Sequence, residues 1–115
     1  MKILTDLEIR KAITKFELNE QFPKARSIEF DDSLNCFWVD NIGFTSWPLL
    51  NPLTDDALCF RLMIKYGIIL MTSRKEPKGK VLGYNAWYYE LINKVYVEGL
   101  NPNKAICLSI IKSKE

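Results

Sequence analysis

Three stretches of this chain have residue types and spacings that could do chemistry: the adjacent carboxylates Asp55 and Asp56, the segment Arg74 to Lys80 with four cations, a Pro and a Gly, and the aromatic cluster of Trp87, Tyr88, Tyr89 and Tyr96. Neighbouring carboxylates can hold a cation or share acid and base roles. On a helix, however, adjacent residues diverge by about 100° around the axis, and no third carboxylate stands close by in sequence, so capping of a helix start is the better reading of Asp55 and Asp56. A basic loop with Gly can cradle a phosphate, but Arg74 to Lys80 lacks the GxxxxGK[ST] spacing of a P-loop and does not lead into a helix. Aromatic side chains can stack on bases, at roughly 1–3 kcal/mol per base. The candidate ligand set is therefore Lys75, Lys78 and Lys80 for charge, with Trp87 or Tyr88 as a stacking surface, and Trp47 on the rim of the loop before the central helix. Core packing of the rings and a solvated hairpin loop are the competing readings of the same residues.

The chain has 115 residues and no His, which removes the commonest neutral-pH general base and the commonest zinc ligand. Cys36, Cys59 and Cys107 are odd in number, far apart and flanked by apolar residues, as small buried thiols of a reducing compartment are. No catalytic residue, metal site or cofactor is expected, and the chain is read as not an enzyme. Up to Ala57 there are 6 Lys+Arg and 10 Asp+Glu (6 − 10 = −4), and from Leu58 onward 10 and 4 (10 − 4 = +6), so the net charge of +2 conceals an acidic front and a basic back. The amino-terminal MKILTDLEIRK is broken by charge too early for a secretory segment, and no apolar run approaches membrane-spanning length. The expected location is the cytoplasm, in a single globular domain over residues 1–115.

The elements that must position these residues follow from local signals. Thr5 and Glu8 have the spacing of a capping box, and apolar residues recur at helical intervals to predict a helix from Asp6 to Leu18. Arg26 to Phe30 and Cys36 to Asp40 predict a hairpin around the turn residues Asp31 to Asn35. Phe44 to Leu53 is expected to be an irregular loop, and Thr54 to cap a helix that stops at Gly67. Ile68 to Ser73, Ala86 to Ile92 and Val95 to Glu98 read as strands, the last two joined tightly at Asn93 and Lys94. Apolar groups on both faces around Trp87 suggest cover on both sides. Asn101 and Pro102 start a last helix near Asn103 to Lys112, echoing Asn51 and Pro52 before the central one. The fold class is α+β: a helix-flanked, mainly antiparallel sheet of four to five strands in the order αββαβββα.

Asp6-Leu7-Glu8-Ile9, Asn51-Pro52 through Ile68, Trp87, and Pro102 through Cys107 together resemble the small bacteriophage proteins grouped as phage ABA sandwich or NinX-like domains. The matches lie at helix starts and core positions. The resemblance implies phage or prophage origin and transfers no catalytic residues. It points to a non-enzymatic counter-defence or host-modulating protein of the bacterial cytoplasm that sequesters a nucleotide-type signal or blocks a host defence protein. Expected partners are thus a host defence protein or an anionic nucleotide ligand, without a membrane role and with self-association left open. The alternative is an accessory of phage DNA recombination or replication that binds single-stranded nucleic acid.

Overall fold

The computed structural model describes residues 4–74, 79–88 and 95–115, the side chains of Trp87 and Tyr88 excepted. The chain is α+β; the described residues form three helices and two three-stranded antiparallel sheets, and the chain divides into two compact units, Met1–Asn51 and Pro52–Glu115.

In the first unit, helix α1 (Asp6–Gln21) starts at the expected capping box: Glu8 N–H donates to Thr5 Oγ1 and Thr5 N–H to Glu8 Oε1, both at 3.1 Å. Strands β1 (Ser27–Asp31), β2 (Cys36–Asp40) and β3 (Phe44–Pro48) pair in chain order. At the β1–β2 turn, Asp31 Oδ1 accepts from the amides of Ser33 and Leu34 and the Ser33 hydroxyl, while Asn35 takes a left-handed φ of 52°. That is turn chemistry typical of Asp and Asn.

The loop expected over Phe44 to Leu53 begins instead as β3. As an edge strand with three consecutive exposed residues it shows weak apolar alternation, and Pro48 is tolerated at its end because an edge does not need every N–H. By register, Ile28, Val39 and Thr45 share one face with Phe30, Phe37 and Trp47. This face forms the core with Leu18 and Phe22 of α1 and its extension. Two polar residues of α1 tie down the chain after β3: Leu50 N–H donates to the buried Thr14 Oγ1 at 2.9 Å, and Arg10 Nε donates to Leu50 O at 3.0 Å. Each latch satisfies a backbone group that would otherwise lose its water partners.

In the second unit, helix α2 (Asp56–Tyr66) ends at Gly67, whose φ of 66° and ψ of 43° close the last turn through its N–H to Ile64 O. The left-handed conformation suits a residue without Cβ. Strands β4 (Ile68–Arg74), β5 (Val81–Tyr88) and β6 (Val95–Glu98) again pair in chain order. Helix α3 (Pro102–Ser113) starts with Asn101 Oδ1 accepting from Lys104 N–H at 3.1 Å and Pro102 in the first turn. The echoed Asn-Pro pairs therefore differ in role, since α2 is capped by Asp55 and not by Asn51.

Ala105, Ile106, Cys107, Ser109 and Ile110 of α3 are buried, and α3 packs on all three strands, whose Ile68, Ala86 and Val95 are buried and share a face by register. Burying one such aliphatic side chain is worth roughly 1.5–3 kcal/mol. The strand β3 and the separation into two sheets distinguish the observed order, αβββαβββα, from the expected αββαβββα. The strand expected over Ala86 to Ile92 is observed as Val81–Tyr88, with Ala86 opposite Val95, and the connection expected to be tight at Asn93 and Lys94 lies outside the described residues.

Candidate functional site

The acidic pair is consumed by structure. Asp55 Oδ1 accepts from Leu58 N–H at 3.0 Å as the N-cap of α2, one residue after the Thr54 expected there, and Asp56 Oδ1 accepts from Asn103 Nδ2 at 2.8 Å, fastening α2 to α3. A carboxylate accepts from the first free amides more strongly than a hydroxyl and gains from the helix dipole, so Asp55 displaces Thr54.

The thiols divide in the same way. Cys36 is half-buried on β2, whereas Cys59 of α2 and Cys107 of α3 are buried. The Cys59 thiol donates to Asn103 O at 3.8 Å, and the neighbouring Cys59 together with burial pushes the Cys107 thiol up. Among the described residues, no group of three or more His, Cys, Asp or Glu is arranged to hold a metal ion.

Of the expected ligand set, Trp47 belongs to the first unit and packs in its core. Its ring meets Phe22 at 5.3 Å between centroids, and its Nε1 donates to Thr45 Oγ1 at 2.9 Å. Lys80 is exposed immediately before β5, and Trp87 and Tyr88 end that strand. At about 3.3 Å per residue, β5 keeps the backbone of Lys80 about 20 Å from that of Trp87, so the fold does not bring them together. Lys75 and Lys78 lie outside the described residues, as do the side chains of Trp87 and Tyr88.

Two surfaces that sequence reading passed over stand out instead. The first is the face of the second sheet opposite α3. Met71 and Tyr96 align across Asn85, with Ile69 two residues along β4, and the three are 54%, 50% and 40% exposed. α3 covers one face of the sheet, and these residues of the other remain exposed; the expectation of cover on both sides around Trp87 falls on side chains outside the described residues. Tyr96 lies against Gly83, where a Cβ would collide with its hydroxyl and with the Val97 carbonyl oxygen, so the glycine gives the ring its place on the sheet.

The second surface is a groove of about 830 Å³ on the first unit, lined by Glu29, Asp31, Asp32, Trp38 and Phe44 among others. Trp38 Nε1 donates to Asp31 Oδ2 at 3.0 Å. Hydrogen bonds from the Ser33 side chain, Trp38 and the turn amides hold the Asp31 carboxyl down at about 2, so it is ionised across the physiological range. The signal in the sequence was the alternation Glu29, Asp31 and Trp38, Asp40, which places acids and an indole on the solvent side of a hairpin. The first surface can bury apolar groups of a partner, and the second can attract a cation.

Comparison of the chain with protein-family models, with curated proteins and with solved structures gives no match. No helix among the described residues is long and apolar enough to cross a membrane.

Proposed function

We propose that this chain is a phage- or prophage-type accessory protein of the bacterial cytoplasm that works by binding, occupying and blocking a host defence protein without turning over a substrate. The observation that carries the reading is the exposed apolar face of the second sheet. Ile69, Met71 and Tyr96 form a patch of the kind that marks protein interaction surfaces. The resemblance to small phage domains supplies the biological setting, and the absence of His supports binding over acid-base turnover. A protein target is favoured over a nucleotide signal because Lys80 and the backbone of Trp87 stand at opposite ends of β5.

Native mass spectrometry of the chain purified from a bacterial host tests this. The expected result is a protein partner at fixed stoichiometry, lost in Met71→Asp and Ile69→Asp variants that keep their circular dichroism. A co-purified nucleotide that raises the melting temperature would replace blocking by sequestration. Binding of single-stranded DNA with a steep salt dependence would replace it by the recombination or replication role.

A further inference from the structure

The groove of the first unit has a composition suited to one kind of visitor. Its ionisable lining groups, Glu29, Asp31 and Asp32, are all carboxylates. Trp38 pairs across the strands with Glu29, and its indole is fixed by the bond from Nε1 to Asp31, which uses the ring edge. Phe44, 70% exposed, lies on the same face, where it pairs with Asp40. Phe30, which also lines the groove, already has its cation: Lys11 Nζ sits 4.2 Å from the centroid of its ring. Among the described residues, no Lys or Arg occupies the corresponding place over Trp38 or Phe44.

We propose that this groove docks an arginine presented by an extended basic segment of a partner protein, the guanidinium stacking on Trp38 and pairing with Glu29. A guanidinium suits the site better than an ammonium because it is planar, stacks on an aromatic face and offers paired N–H donors to a carboxylate. Charge reinforces the choice. The first unit has 6 Lys+Arg and 8 Asp+Glu (6 − 8 = −2) and the second 10 and 6 (10 − 6 = +4), so the first unit's own charge favours a cationic visitor over an anionic one. The inference rests on the proposed function in taking a protein as partner, but it concerns a different surface.

The test titrates the full chain with a short capped peptide of glycines and two arginines, following the Trp38 indole N–H resonance, assigned with Trp38→Phe. The expected result is a saturable shift of that resonance, weakened by salt and weakened about tenfold in the doubly substituted Glu29→Gln, Asp32→Asn chain, whose exposed side chains can change without unfolding it. A Trp38→Leu chain with a native spectrum should bind severalfold more weakly, followed by calorimetry. Equal binding of the peptide with glutamine in place of arginine would overturn the proposal, and so would an unmoved Trp38 resonance. Stronger binding of spermidine would overturn it in favour of a free polyamine, and a shift produced by protein concentration alone in favour of a second copy. A host partner retained by the Glu29→Gln, Asp32→Asn chain would defeat the groove and leave the blocking function standing. Peptide binding without any co-purified protein would do the reverse.

Discussion

Both units begin with a helix and run into three antiparallel strands paired in chain order, yet they close their cores by different means. The first has one helix. It packs Leu18 and Phe22 against large aromatic residues of the sheet and uses Arg10 and Thr14 to hold the chain that follows β3. The second gains α3, which lays small and aliphatic side chains on the sheet while α2 leans on α3 through the thiols and the bond from Asn103 to Asp56. The difference teaches that a three-stranded meander needs a full apolar lid, supplied either by bulky rings under one helix or by a second helix with close-packed small residues. It also leaves different outer faces, acidic and aromatic in one and, around Ile69, Met71 and Tyr96, uncharged and apolar in the other.

The largest effects should come from the two lids. Phe37→Ala in the first core and Ile110→Ala in the second should each cost about 2–5 kcal/mol in urea denaturation, since both side chains are almost wholly buried. Native-state hydrogen exchange should show protection lost first in the unit that carries the change. Uniform loss through both units would break the distinction between them.

A smaller pair of effects contrasts a backbone stop with a side-chain latch. Gly67→Val forces a β-branched residue into the left-handed region and should cost about 1–2 kcal/mol by chemical denaturation. In the first unit, Thr14→Val removes the acceptor of Leu50 N–H and should cost about 1–2 kcal/mol, with Thr14→Ser recovering most of it. Failure of the serine to recover would assign Thr14 a packing role only.

The smallest effect depends on pH and belongs to the first unit. Asp31 is ionised in the fold down to about pH 2, whereas the unfolded chain takes up this proton near the ordinary 3.8. A lowered folded value contributes stability that is complete above the unfolded value and is lost as pH falls toward the folded one. The melting temperatures of the wild type and Asp31→Asn should therefore differ at neutral pH and converge between about pH 4 and 2. A gap that persists unchanged to pH 2 would contradict the ionised turn.

Elements marked by local chemistry were legible in the sequence. The capping box at Thr5 and Glu8, the turn from Asp31 to Asn35, the stop at Gly67 and the helix start at Asn101 and Pro102 depend on residues within one turn of each other. What escaped depends on pairing. Phe44 to Pro48 is a strand because β2 supplies its partners, not because its own pattern demands one. The set of Lys80, Trp87 and Tyr88 looked compact in sequence because seven intervening positions are few, and a strand makes those positions long. The groove around Trp38 was hidden for the complementary reason: Glu29 and Trp38 are nine positions apart and become neighbours only through the hairpin register.

The chain-order pairing of the strands has a further consequence, for how the protein is made. Every strand pairs with the one next to it in sequence, so closing each sheet requires only short loops and little loss of chain entropy. The strands of the first sheet are all present by Pro48, before α2 has been synthesised. Translation is slow beside hairpin formation, which takes microseconds. The first unit can therefore assemble at the ribosome while the second is still being made, with its three strands paired before a competing sheet exists.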